Sequence, residues 1–154
     1  QVVQFVQKDA TFRGFEASAA FELFHAEPRH LDLEVMADYV RASLRGNSED
    51  PLPRIPPFRY GAALHYQDNH LEGRFEVRGV AEQTRVSANE LPTDGYTFLN
   101  ASLGYRFFVG RTILQLRVQG NNLTDEEGRN HVSFLKDVAP LPGRDFRASI
   151  RLVF

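Results

Sequence analysis

Apolar and polar residues alternate with a period of two along almost the whole chain, as in Leu31, Leu33 and Val35 with acidic side chains between them. Strict alternation of this kind is typical of a β-strand whose two faces meet different surroundings. Seven segments carry the pattern: residues 15–23, 31–39, 58–66, 74–78, 99–107, 114–118 and 146–154. The pattern therefore predicts an all-β chain of about seven strands, with no convincing helix.

The connections between these segments alternate between short and long. In chain order they are His25–His30, Arg45–Pro57, Asp68–His70, Gln83–Gly95, Val109–Arg111 and Asn121–Gly143. Successive connections of an antiparallel up-and-down meander fall at opposite ends of the sheet. One end should therefore carry tight turns and the other long loops, which is the layout of a transmembrane antiparallel β-barrel of the outer-membrane type.

A soluble barrel shows the same alternation with its apolar face turned inward. Aromatic residues favour the membrane alternative, because they lie near the strand ends and leave alanine and aliphatic residues nearer the middle, as two interfacial girdles would require. The chain also ends on Phe154, within an alternating strand. We therefore expect the apolar face to meet lipid, the charged face to line a wet interior, and Asn121–Gly143 to be external.

Composition narrows the functional classes. The 154 residues suffice for one domain, and 18 basic against 20 acidic residues give a net charge of −2, without the basic excess of a nucleic-acid binder. The absence of cysteine excludes disulfides and thiolate chemistry.

Several segments resemble TonB-dependent outer-membrane receptors. Residues 114–125 resemble the penultimate strand of that family, which closes on an Asn-Leu-x-Asp motif, here Asn122–Asp125. Residues 143–154 resemble the last strand of its barrel, and residues 8–17 resemble an earlier strand. Residues 131–137 and 142–146 are similar to the tail of the zinc-uptake (ZnuD-type) subgroup.

The resemblance implies that residues 1–154 are the C-terminal part of a 22-stranded barrel whose plug domain is absent from this sequence. It implies a bacterial outer-membrane receptor that imports a metal, with zinc the first expectation and an iron–siderophore complex the second. The implied partners are the TonB complex (reached through the missing part), the lipid bilayer and the metal or metal chelate, and not nucleic acid. No enzymatic activity and no resident cofactor are expected, since zinc would be the cargo.

Two alternatives remain open from the residues alone. A small outer-membrane barrel of eight strands with an adhesive or structural role would need Val2–Gln7 to form a separate strand. A soluble ligand-binding β-barrel would place the apolar face inside.

His131 is the main candidate ligand, because imidazole and carboxylate groups both bind zinc and Asp137 follows it in the same loop, with Glu126 and Glu127 nearby. The alternative is a solvated loop histidine. Two other sets are weaker. A calcium site would combine Asn121 and Asp125 with the same glutamates, without the regular ligand spacing. A hydrolase triad of His131, Ser133 and Asp137 lacks a strained nucleophile turn.

Charged side chains on the polar face have two interpretations, cross-strand ion pairs or a path for a cation, and the presence of both signs favours ion pairs. The residues concerned are Glu16, Glu22, Asp32, Glu34, Asp38, Glu72, Arg74, Glu76, Arg78, Arg106, Arg117, Arg147 and Arg151. We expect His25, His30 and His70 to lie at short turns and His65 to face the interior.

Overall fold

The computed structural model describes residues 7–45 and 50–154, and these residues form one antiparallel sheet. Its strands are β1 (Ala10–Ala26), β2 (Arg29–Leu44), β3 (Arg59–Gln67), β4 (Leu71–Val80), β5 (Tyr96–Val109), β6 (Thr112–Asn121) and β7 (Asp145–Val153). Each strand pairs with the next, so the order in the sheet is the order in the chain. The predicted all-β meander is confirmed.

The register places apolar residues of neighbouring strands opposite one another, so that they form rows across the sheet, as the alternation requires. One row of the apolar face runs through Ala19, Val35, Ala62, Val77 and Leu99, each the direct partner of the next. The residues between them form the polar face. Since a slip of one residue would invert a strand, the difference between the faces fixes the register of every pair.

Aromatic rings flank the aliphatic rows at both ends of the apolar face. Phe15 and Tyr39 lie with ring centroids 6.4 Å apart, and Phe58 and Tyr60 continue the group. Near the other end Tyr105 and Phe107 are 4.6 Å apart. The sheet therefore has the two predicted aromatic girdles.

The apolar face is not covered by protein. Among the described residues only Ala42 and Ala63 are buried hydrophobic side chains. On β7, which is an edge strand, Phe146, Ile150 and Leu152 are 72%, 73% and 60% exposed. The described sheet has no dry protein core, so this face needs another apolar environment, which favours the membrane alternative over the soluble barrel.

The two ends of the sheet differ as predicted. Turns of two or three residues join β1 to β2, β3 to β4 and β5 to β6, and we call this the short-turn end. The loops after β2, β4 and β6 lie at the opposite, long-loop end, at residues 45–58 (of which 45 and 50–58 are described), 81–95 and 122–144. Val2–Gln7, the extra strand of the eight-stranded alternative, falls almost entirely outside the described residues. No helix in the described part of the chain has the length and apolar character to cross a membrane.

The regular alternation predicted for residues 15–23 fails at its end. The register shifts between Glu22 and Phe24, so that Phe24 pairs with Leu31 and Leu23 is the extra residue of a β-bulge. Leu23 therefore has no direct partner on β2, which the regular alternation did not predict. Two consecutive apolar residues, Leu23 and Phe24, were the signal in the sequence.

Candidate functional site

The three long loops pack against one another over the open end of the sheet. Gln83 Nε2 donates to the Ile55 carbonyl at 3.0 Å, which links the loop 81–95 to the loop 45–58. Lys136 Nζ donates to the Leu91 carbonyl at 2.5 Å, which links the loop 122–144 to the loop 81–95. The Arg54 guanidinium lies 3.7 Å from the centroid of the Phe134 ring. The loops thus form one connected cap rather than three independent chains.

A buried charged cluster of Glu90, His131 and Lys136 joins two of these loops. Their side chains are only 7%, 1% and 6% exposed. Glu90 Oε1 lies 3.2 Å from His131 Nε2 and accepts a hydrogen bond from Lys136 Nζ at 3.2 Å. His131 Nδ1 lies 2.9 Å from Thr93 Oγ1, so both ring nitrogens have a protein partner.

The cluster shifts the titration of two of its members. Burial raises the pKa of Glu90, but the Arg54 amide, the Lys136 ammonium and the Ser87 amide together outweigh it and hold that pKa below its usual value. Burial lowers the pKa of His131 below 6.5, Lys136 adds to the effect, and Glu90 and Asp137 oppose it. These shifts favour an ionised Glu90 carboxylate and a neutral His131 imidazole at neutral pH.

We expect the packing of the loops to weaken as the pH falls below about 6.5. His131 has a lower pKa in the packed state than in the open state, so the open state takes up a proton first and the packing loses free energy over that interval. Glu90, whose pKa is also lowered, adds a further loss at more acidic pH. The protection factor of the Leu141 amide, which donates to the Gly128 carbonyl within the loop 122–144, measures the opening of that loop.

In this experiment a His131→Gln variant is the matched control, because it keeps a hydrogen-bonding side chain but lacks the titrating ring. Its protection factor, in which the intrinsic pH dependence of amide exchange is removed, should not change over the interval near pH 6.5 where that of the wild type changes. Equal acid sensitivity of both proteins would contradict the assignment to His131.

The Asn-Leu-x-Asp segment ends β6 with two residues in the left-handed region. Asn122 has φ 47° and Asp125 has φ 56°, a conformation that asparagine and aspartate adopt more readily than most residues. Asn122 is 2% exposed, donates to the Glu126 carbonyl at 2.8 Å and accepts from the Glu126 amide at 3.0 Å. Asp125 Oδ1 accepts from the Arg144 amide at 2.8 Å, which ties the start of the loop to its end.

The structure distributes the other predicted ligands over separate contacts. Asp137 is exposed, while Glu126 Oε1 accepts from the Thr97 amide at 3.1 Å and Glu127 pairs with Arg129 at 2.7 Å. The zinc site of His131 and Asp137 stays a prediction. Zinc that bound His131 would have to displace either Glu90 or Thr93 from one of its ring nitrogens.

The two weaker predictions have no assembled geometry in the described residues. In the calcium set, Asn121 binds Asp145 at 3.0 Å and Asp125 binds the Arg144 segment, so these side chains face different partners. In the triad set, Ser133 Oγ accepts from the Leu135 amide at 3.1 Å, whereas His131 binds Thr93 and not Ser133.

Ion pairs cross the polar face, as the favoured interpretation predicted. Arg74 Nη1 lies 2.7 Å from Glu34 Oε2, two strands away. Glu72 pairs with both Arg106 and Arg117, and therefore links β4, β5 and β6. These contacts confirm cross-strand ion pairs for these residues; the alternative of a cation path stays a prediction.

The sequence did not reveal Glu90 as part of the site. Glu90 lies in a different loop from His131, and loops have no periodicity from which a shared neighbourhood could be inferred. The one signal in the sequence for a charged neighbour of His131 was Lys136 in the same loop, since Lys8 and Lys136 are the only lysines of the chain.

One apolar and one charged face, with short turns at one end and long loops at the other, define the wall of an outer-membrane-type β-barrel. Residues 1–123 match the family model described as TonB dependent receptor-like, beta-barrel. The match covers most of the chain, and the chain belongs to this family. No curated protein sequence matches it.

A solved structure with the same fold is that of the copper transporter OprC. It superposes with a TM-score of 0.78 at 21% sequence identity, over 93% of this chain and 24% of OprC. The likeness establishes the fold, and the chain spans about a quarter of the length of that transporter. These comparisons do not distinguish the zinc-uptake subgroup, which stays a prediction.

Proposed function

We propose that the chain is part of the barrel wall of a receptor in the bacterial outer membrane that imports a metal in a TonB-energised step. Membership of the receptor family carries this proposal, since that family consists of receptors rather than enzymes. The faces of the sheet agree with it, because the apolar one would meet lipid and the ion-paired one would meet the interior. The long loops would then face outward and the short turns the periplasm.

A metal is the proposed cargo for two reasons. The solved structure with the same fold is named a copper transporter. Residues 131–137 and 142–146 resemble the zinc-uptake subgroup, and they lie in the long loop that would be external. The mechanism we propose is capture by the packed loops followed by a plug rearrangement driven by TonB.

Metal accumulation by cells that express the full-length protein containing this chain tests the proposal. We expect zinc or copper to accumulate in TonB-competent cells and not in cells that lack TonB. Accumulation of iron only when a siderophore is supplied would support the second expectation and contradict the first. No TonB-dependent difference for any of the three would contradict the proposed function.

In the same assay Asp137→Asn tests the loop site more cleanly than a change of His131. Asp137 is exposed, so its substitution should leave the Glu90–His131–Lys136 cluster intact. We expect zinc affinity and zinc uptake to fall, because a carboxylate ligand is lost. Asp94→Asn, at an exposed carboxylate of the neighbouring loop, is the matched control and should behave as wild type. Unchanged zinc affinity in Asp137→Asn would contradict a ligand role.

A further inference from the structure

Three side chains with metal-binding chemistry meet at the short-turn end of β1 and β2. One ligand atom each from Glu22, His25 and His30 lies within 4.8 Å of the other two. His25 Nδ1 is 2.9 Å from Glu22 Oε2, and the rings of His25 and His30 are 4.3 Å apart between centroids, at an interplanar angle of 75°. Among the described residues this is the one group of three or more such side chains.

The β-bulge assembles this group. In a regular strand, residues three apart point to opposite faces, so Glu22 and His25 would lie on different sides of the sheet. The extra residue, Leu23, shifts the register, and both side chains then face the polar side. His30 lies directly opposite His25 across the turn, which brings the third side chain to the same place.

The chemistry of the group fits a transition metal. Two imidazoles and one carboxylate form a known three-ligand set for Zn²⁺, with a fourth position open to water or another ligand. Metal–ligand distances of about 2.0–2.1 Å correspond to tetrahedral ligand atoms about 3.3 Å apart. One pair of ligand atoms is 2.9 Å apart and all three lie within 4.8 Å of one another, so rotations of these side chains would close the site. Imidazole nitrogen disfavours Ca²⁺ and Mg²⁺, which prefer oxygen ligands.

Neighbouring carboxylates support a cation there. Glu27 Oε1 lies 3.7 Å from His25 Nε2, on the side of the ring away from Glu22. A carboxylate in that place orients a ligating histidine and strengthens it as a ligand. Asp32 is the cross-strand partner of Glu22 and adds negative charge to the same face.

We propose that Glu22, His25 and His30 bind a divalent transition-metal ion, with Zn²⁺ as the reference case, on the interior face at the short-turn end. This site goes beyond the proposed function, because equilibrium binding there needs neither the long loops nor TonB. It lies at the opposite end of the sheet from His131 and Asp137.

Zn²⁺ titration of the full-length protein in detergent, in competition with a chromogenic chelator, tests the site. We expect wild type to bind one more Zn²⁺ ion than His30→Gln does. If both bind the same number of ions, we expect the Zn²⁺ affinity of wild type to be higher by more than about 100-fold, because the loss of an outer-shell partner lowers metal affinity by only about 10- to 100-fold. His30→Gln keeps the Glu22–His25 hydrogen bond, so the turn should remain folded. Glu22→Gln, which removes a ligand charge without changing shape, is expected to weaken the same site.

His70→Gln is the matched control. His70 also lies in a short turn at this end, but its ring packs against Tyr105 and Phe108 with centroids 6.0 and 5.3 Å away. It should bind Zn²⁺ as wild type does. Equal Zn²⁺ stoichiometry and affinity in wild type, His30→Gln and Glu22→Gln would overturn the site, and would leave the uptake proposal untouched because uptake is measured separately.

Discussion

Ala19→Arg is expected to lower the free energy of unfolding in lipid by about 2–4 kcal/mol, the cost of an arginine on the lipid face near the middle of a bilayer. Ala19 lies in the aliphatic row with Val35 and Ala62 as its neighbours across the sheet. That row lies between the two aromatic girdles, where an arginine has the longest distance to cover to reach water. The measurement is denaturant unfolding of the full-length protein refolded in lipid vesicles.

Ser18→Arg is the matched control, one residue away on the same strand. Ser18 faces the polar side opposite Met36, and Glu34 and Asp38 are the next residues on that face of β2. An arginine there meets water and two carboxylates, so we expect almost no loss of stability. A similar loss of stability in both variants would mean that the cost comes from placing an arginine anywhere in β1, and not from exposing it to lipid. No loss in Ala19→Arg would contradict a lipid-facing apolar surface altogether.

The contrast between these neighbouring positions explains how much of the fold the sequence could predict. When a strand separates two different environments, the polarity of each residue indicates the face on which it lies. A slip of one residue would therefore place every side chain on the wrong face. Seven strands, their order of connection and the two unlike ends could therefore be inferred from alternation alone. The strand ends were less certain: β4 extends over Leu71–Val80, while alternation was evident only over residues 74–78.

The parts that could not be predicted have a common physical cause. The bulge at Leu23 and the contact between Glu90 and His131 depend on backbone geometry and on packing between distant segments. Alternation carries no information about either. His25 and His30 were expected only as turn residues, and regular pleating would have placed Glu22 on the other side of the sheet from His25. His131 was expected as a ligand or a solvated histidine, and its burial arises from Glu90, Thr93 and Lys136 in combination.

Glu90→Gln is expected to reduce the free energy that holds the long loops together by about 3 kcal/mol, near the lower end of the cost of breaking a buried ion pair. Lys136 would keep its charge with a side chain only 6% exposed and would lose its carboxylate partner. The glutamine oxygen can still accept from the Arg54 amide, which is why we expect the lower end. Such a change raises the exchange rate of the Leu141 amide by about 100-fold where exchange follows local opening.

A double variant separates charge compensation from simple loss of packing. Replacing both members of a buried ion pair with uncharged residues is often nearly neutral, so Glu90→Gln with Lys136→Met should recover most of the lost protection. Asp94→Asn, in the same loop and exposed, should leave exchange unchanged and controls for the loss of one negative charge. Because Glu90 contacts both His131 and Lys136 across the two loops, unchanged exchange in Glu90→Gln would contradict its role in holding the loops together. Additive losses in the double variant would instead assign the effect to packing, and would remove the electrostatic explanation for the neutral, buried His131.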